Sequence, residues 1–65
     1  MKTELSAADW RAVAAAMNLA AEQYQKDADL CIRDGVPHLQ AQFLHQRDEA
    51  IAIGEYADAK AEGEA

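Results

Sequence analysis

Apolar residues recur along the first half of the chain at the spacing of one face of an α-helix. At 100° per residue they fall within an arc of roughly 120°, as in an amphipathic helix with one buried side. The members of this arc are Trp10, Val13, Ala14, Met17, Ala20, Ala21, Tyr24, Ala28, Cys31 and Ile32. Ser6 followed by Asp9 matches a capping-box variant, and neither glycine nor proline occurs before Gly35. The pattern predicts a first helix over about residues 7–34.

The segment Gly35-Val36-Pro37 is typical of a break between two helices. Glycine suits the left-handed position after a helix end, and proline fits the first turn of the next helix. A second helix is predicted over about residues 37–59, and the acidic, Ala/Glu/Gly-rich tail 60–65 is expected to fray. The sequence thus predicts an all-α fold, a single antiparallel two-helix hairpin spanning residues 1–65.

The second helix has a broader apolar surface than the first. A stripe and a flanking pair together cover about half of its circumference. One neighbouring helix cannot cover this width, whereas the four-helix bundle formed by two hairpins can. The flanking pair is Leu44 and Ile51, and the stripe contains Leu39, Phe43, Ala50, Ile53, Gly54 and Ala57.

The size of the chain also favours self-association. A chain of 65 residues buries only about 60% of the surface that its unfolded form exposes, and such small domains need a disulfide, a metal or a second subunit. The single Cys31 cannot form an internal disulfide. We therefore expect a homo-oligomer, most simply a dimer, whose core includes Trp10, Met17, Tyr24, Leu39, Phe43, Ala50, Ile53 and Gly54.

The charge of the chain excludes several classes of partner. Twelve acidic and six basic residues give a net charge of −6, which disfavours binding to nucleic acid and to anionic membranes. No stretch approaches the ~20 apolar residues of a membrane span, and residues 1–6 lack the apolar run of a signal peptide. We expect a cytoplasmic protein with neither nucleic acid nor membrane as a partner.

The candidate chemical groups have plainer structural explanations. Cys31 lies on the core arc, where cysteine behaves as a small apolar residue. His45 and Glu49 lie one helical turn apart, but the second histidine of a zinc-binding His-Glu-x-x-His motif is missing. We predict no catalytic, cofactor-binding or metal-binding residues and no enzymatic activity.

Leu19 and Leu30 interrupt the polar side of the first helix, almost opposite its core arc. Two leucines on a polar side need a covering partner, either a second subunit or another protein. We take them as candidate partner-binding residues, together with Leu44 and Ile51 of the second helix.

The stretch from Leu19 to Ala50 resembles the small helical-hairpin proteins of tailed bacteriophages and prophages. The similar features are Ala20-Ala21-Glu22-Gln23-Tyr24, the break before Pro37, and Gln42-Phe43-Leu44. Characterised proteins of this kind bind and disable a host protein. The resemblance implies a non-enzymatic inhibitor or adaptor that binds a host protein in the bacterial cytoplasm.

Two alternatives remain open at this point. Pro37 and the segment Gln42 to Gln46 are similar to the type III secretion co-chaperones, a likeness that implies holding a needle subunit through a partner chaperone. An oligomeric sponge for an anionic nucleotide signal would need converging cations, for which Arg11 and Arg47 are the plausible contributors.

Overall fold

The chain forms two long helices that pack against each other and are joined by a short turn. The computed structural model describes residues 4–64, so the expectations for residues 1–3 and for Ala65 lie outside the described residues. Helix α1 spans Ala7–Arg33 and helix α2 spans Pro37–Glu64. No strand occurs within this described range, which confirms the predicted all-α two-helix hairpin.

The hairpin is a rod. Its Cα atoms extend over 48 × 16 × 16 Å, and their radius of gyration is 14.8 Å. A compact chain of this length would have a radius of gyration of about 11 Å. The elongated shape leaves a large surface for the volume that it encloses.

The start of α1 has the predicted capping box. The Ser6 side-chain oxygen accepts a hydrogen bond from the Asp9 backbone N–H at 3.2 Å, and the Asp9 carboxylate accepts one from the Ser6 backbone N–H at 3.1 Å. Both donors would otherwise lack a partner within the helix. Local sequence therefore sets the first residue of the helix.

The turn between the helices is a Schellman motif. Gly35 has a φ of 75°, in the left-handed region that favours glycine. The Val36 backbone N–H donates to the Cys31 carbonyl at 2.9 Å, and the Gly35 N–H donates to the Ile32 carbonyl at 3.3 Å. Pro37 is the first residue of α2, as predicted.

Small residues line the seam where the two helices meet. On α1 they recur every seven residues, at Ala14, Ala21 and Ala28. Such a seven-residue repeat is the pattern of two helices that coil around each other. On α2 the buried small residues alternate at spacings of four and three, at Ala50, Gly54, Ala57 and Ala61.

The large side chains of the seam are only partly covered. Trp10, Met17, Tyr24 and Phe43 are all half-buried. Within the described part of the chain, no large side chain is fully buried. The core of one hairpin therefore consists mainly of alanine, which contributes little apolar area.

One boundary differs from that expected. Helix α1 ends at Arg33, with Asp34 as its C-terminal cap, within one residue of the expected end, whereas α2 continues to Glu64 instead of ending near residue 59. The extension of α2 follows from the seam, because Ala61 continues the spacing of small residues and is buried. Burial of Ala61 against α1 stabilises the last turns of α2 as helix.

Three residues expected in a core are exposed in the single hairpin. Ile32 was assigned to the core arc of the first helix but is 58% exposed, because the seam passes through Ala28 and Cys31 and leaves Ile32 beside it. Leu39 and Ile53, assigned to the oligomer core, are 37% and 48% exposed. The hairpin alone does not cover these side chains.

Candidate protein-binding surfaces

The titratable residues singled out from the sequence lie apart from one another. Cys31 is a buried free thiol in the seam, as its place on the core arc predicts. His45 Nε2 and Glu49 Oε1 lie 2.6 Å apart on the exposed side of α2, within hydrogen-bonding distance. Among residues 4–64, no group of three or more His, Cys, Asp or Glu side chains is placed to hold a metal ion.

One side of the seam contains an open groove of about 310 Å³. The groove forms where the small side chains of Ala20 and Ala50 lie among larger ones. Its lining is mostly apolar and consists of Met17, Ala20 and Tyr24 of α1 and Gln46, Glu49, Ala50 and Ile53 of α2.

The groove belongs to a longer surface with few charges, which we call the groove face. In a seam with a seven-residue repeat, the residues that flank it on one side recur every three or four positions. Extending the groove-lining positions by this rule gives a set of apolar residues on the same side: Val13, Ala20, Leu30, Leu39, Ile53 and Tyr56. The same rule places only Asp9, Asp27, Glu49 and Lys60 there as charged residues.

An aromatic cluster extends the groove face to the open end of the hairpin. The Trp10 and Tyr56 rings meet edge to face, with centroids 5.8 Å apart and an interplanar angle of 80°. The Lys60 ammonium lies 5.5 Å from the centroid of the Tyr56 ring, within cation–π range. Tyr56 is nevertheless 57% exposed, so more than half of its surface remains accessible to a partner.

The opposite side of the seam is strongly acidic, and we call it the acidic face. By the same seven-residue repeat it holds half of the chain's 12 acidic residues. Leu44, which is half-buried, and Ile51, which is 40% exposed, lie among these acids. The acidic residues of this face are Glu22, Asp29, Asp48, Glu55, Asp58 and Glu62.

A series of side-chain hydrogen bonds connects the two helices on the acidic face. The Arg47 guanidinium donates to Asp48 Oδ1 from Nη2 at 2.7 Å and from Nε at 3.0 Å, and it also donates to Gln25 Oε1 across the seam. The Gln25 amide in turn donates to Asp29 Oδ1 at 3.1 Å. Three of the five N–H donors of Arg47 are thus bonded to neighbours within the chain.

This arrangement bears on the anionic-ligand alternative. Because Arg47 lies level with Gln25, it is about 20 Å from Arg11 along the hairpin, at 1.5 Å per residue. Within one chain the two arginines therefore do not converge on a common site. An anion site that uses both arginines would need a second chain.

The four candidate partner-binding residues are not brought together. Leu19 is on the back of α1, directed away from α2, and is 68% exposed. Leu30 is 45% exposed and is on the groove face. Leu44 and Ile51 are on the acidic face. The structure therefore divides the four residues among three separate sides of the hairpin.

Comparison of the chain with protein-family models, with curated proteins and with solved structures found no match. The likeness to phage hairpins and to type III co-chaperones accordingly stays a prediction. No helix within the described range is both long and apolar enough to cross a membrane.

Sequence reasoning missed the contribution of the open end. The sequence prediction assigns neither Tyr56 nor Lys60 to a site, and it places Lys60 in the tail expected to fray. The spacing of Gly54, Ala57 and Ala61 was the available signal, because it continues the small-residue repeat of the seam past residue 59. That repeat carries Tyr56 and Lys60 onto an ordered helix.

Proposed function

We propose that the protein is a homodimer of helical hairpins, a four-helix bundle that binds another protein as a non-enzymatic inhibitor or adaptor. In this proposal it is phage-encoded and acts on a host protein in the bacterial cytoplasm. One observation carries the proposal: the seam of the hairpin is built from small residues, while its large apolar side chains lie on the outside. Large apolar surfaces on a small protein mark sites of protein contact.

The exposed area supports a dimer. The chain exposes 4833 Å², whereas a compact protein of its mass would expose about 4,100 Å². The excess of roughly 700 Å² is close to the ~800 Å² that each partner buries in a standard interface. Dimerisation would therefore bring the surface of each chain to the value expected for a stable protein of this size.

Leu19 supports a contact with a different protein. Among residues 4–63 it is the most exposed large apolar residue, and it lies on the back of α1, clear of both the groove face and the acidic face. Pairing of two hairpins through either of those faces leaves Leu19 in water. An exposed leucine that dimerisation does not cover is available to a second kind of partner.

The proposal is tested in two steps. Sedimentation equilibrium at micromolar concentration should give a species of twice 7.1 kDa, and a folded monomer would reject the homodimer. Affinity capture from bacterial lysate should then retain a specific protein, and Leu19→Asp should lose it without losing helicity. Lys26→Asp is the matched control, because Lys26 is exposed on the same side of α1, one heptad later.

Capture alone does not establish inhibition. The captured protein should therefore be purified, and its own activity measured with and without the hairpin. A fall in that activity supports an inhibitor, and an unchanged activity with a third protein recruited supports an adaptor. Capture of a needle subunit with its chaperone would instead support the type III co-chaperone alternative. Capture that Leu19→Asp and Lys26→Asp reduce equally would remove Leu19 from the proposal.

A further inference from the structure

We infer that the second copy of the chain docks on the groove face, so that the dimer forms by groove face against groove face. This inference rests on the homodimer of the proposed function and adds which side of the hairpin makes it. A two-fold dimer uses the same patch on both chains, so the patch must be compatible with itself. The groove face and the acidic face are the two sides wide enough to involve both helices.

Charge decides between the two faces. Pairing acidic faces would bring Glu22, Asp48 and Glu55 of each chain against the same residues of the other, and like charges at a contact are strongly unfavourable. The cations of this face are Arg47, which is paired with Asp48, and, by the same repeat, Arg11, and these two do not balance its six acids. The groove face has three acids and one lysine, with Glu49 as the charged residue that lines the groove itself, and a surface with fewer charges is the more favourable one to bury in an interface.

The few charges of the groove face are compatible with both two-fold orientations. Lys60 lies toward the open end, beside Tyr56, and Asp9 lies at the same end, whereas Asp27 lies toward the turn. In a parallel pair Lys60 is level with Asp9 of the second copy, and in an antiparallel pair it is level with Asp27. The inference therefore concerns the face that pairs, and it holds for either orientation.

The side chains of the groove face fit this occupant. Ile53 is 48% exposed and lines the groove, and Tyr56 is 57% exposed at its open end. Leu30 and Leu39 are exposed near the turn, at 45% and 37%. When two groove faces pair, these exposed side chains of one chain meet those of the other, and the two grooves face each other in the middle.

Two isoleucines of α2 provide a matched test. Ile53 and Ile51 have similar exposure, 48% and 40%, and they lie on the groove face and the acidic face respectively. Ile53→Asp should raise the dimer dissociation constant by about 100-fold or more, as loss of a central interface residue does. Ile51→Asp should leave the dissociation constant within a few-fold of wild type. Sedimentation equilibrium measures both values, and circular dichroism checks that helicity is kept.

The outcomes separate this inference from the one on which it rests. A wild-type monomer rejects the homodimer itself. A wild-type dimer that Ile51→Asp dissociates and Ile53→Asp does not would overturn only the choice of face. Equal loss in both variants, with helicity kept, would also overturn that choice.

A second measurement tests the same inference if Ile53→Asp fails to fold. Ile53→Cys and Ile51→Cys keep an uncharged side chain at each position and can be reacted with a maleimide, with wild type giving the background from buried Cys31. At protein concentrations above the dimer dissociation constant, the thiol of Ile53→Cys should react at about one tenth of the rate of the thiol of Ile51→Cys, or more slowly. Dilution below the dissociation constant should remove this protection. Equal reaction rates at all concentrations would overturn the inference.

Discussion

Gly54 offers the sharpest test of how closely the two helices approach. A Cβ added at this position would lie 3.4 Å from the Met17 Cβ, 3.5 Å from Asn18 Oδ1 and 3.8 Å from the Ala14 carbonyl oxygen. These distances are near the contact optimum of about 3.5–4.0 Å between carbon atoms, so a methyl group fits the seam. Replacing glycine by alanine within a helix gains about 0.8–1.0 kcal/mol of helix propensity. We expect Gly54→Ala to raise the free energy of unfolding by about 1 kcal/mol, because the tight Met17 contact offsets the gain from burying a methyl group.

The other two glycines serve as controls for this substitution. Gly63→Ala meets nothing within 4 Å and lies in the last turn, so it should gain about 0.5 kcal/mol or less. Gly35→Ala should lose about 1–2 kcal/mol, since alanine is strained at its φ of 75°. Thermal unfolding followed by circular dichroism at one fixed protein concentration measures all three, and 1 kcal/mol corresponds to about 4–8 °C in a domain of this size. A melting temperature of Gly54→Ala below that of wild type would show that the seam is tighter than described and would refute the reasoning.

Two further substitutions test other parts of the hairpin. Ser6→Ala should lower the free energy of unfolding by about 1 kcal/mol through loss of the capping box, whereas Ser6→Asn should retain most of it, and equal urea midpoints for the two variants would contradict the role of the cap. Ala57→Leu should cost about 1–3 kcal/mol by overpacking a fully buried seam position, while Ala52→Leu on the exposed side of α2 should change stability by less than about 0.5 kcal/mol. A seam that accepts both leucines equally well in thermal unfolding would not be close-packed.

The ends of α1 were predictable from sequence because local chemistry sets them. Ser6 and Asp9 satisfy each other's backbone donors without help from the rest of the chain. Gly35 supplies the left-handed residue that the turn needs, and Pro37 stops one helix and starts the next. Interactions within three or four residues are fully contained in a sequence window, so reading that window gives the correct boundary.

The composition of the seam was less accessible for a physical reason. An arc measured at 100° per residue widens along a long helix, since two coiled helices follow a repeat of 3.5 residues per turn. Over the length of α1 this drift carried Ile32 into the predicted core, although it is exposed. The repeat of Ala14, Ala21 and Ala28 tracks the contact line better, because it follows the geometry of the coiled pair.

The candidate binding surfaces are defined by their position relative to the seam, so they could be predicted from the sequence no better than the seam itself. Apolar residues of α2 occur all around the helix, so the sequence alone does not tell which side faces α1. Once Gly54, Ala57 and Ala61 are known to face α1, Ile53 falls on one side of the seam and Ile51 on the other. A difference of two positions thus separates an apolar surface from an acidic one. Sequence reasoning identified the apolar residues but could not divide them between faces.

The small-residue seam and the exposed apolar surfaces are two consequences of one pattern. Side chains as small as Ala28 and Ala57 allow the helices to approach closely, and every larger side chain that flanks them is thereby turned outward. Because Leu19 points away from α2 while the groove face points to the side, a dimer made through the groove face leaves both copies of Leu19 exposed. Assembly and partner binding can then be disrupted separately, the first by Ile53→Asp and the second by Leu19→Asp. Two substitutions with separate effects are possible in so short a chain because the groove face, the acidic face and the back of α1 all point outward, and only the seam faces inward.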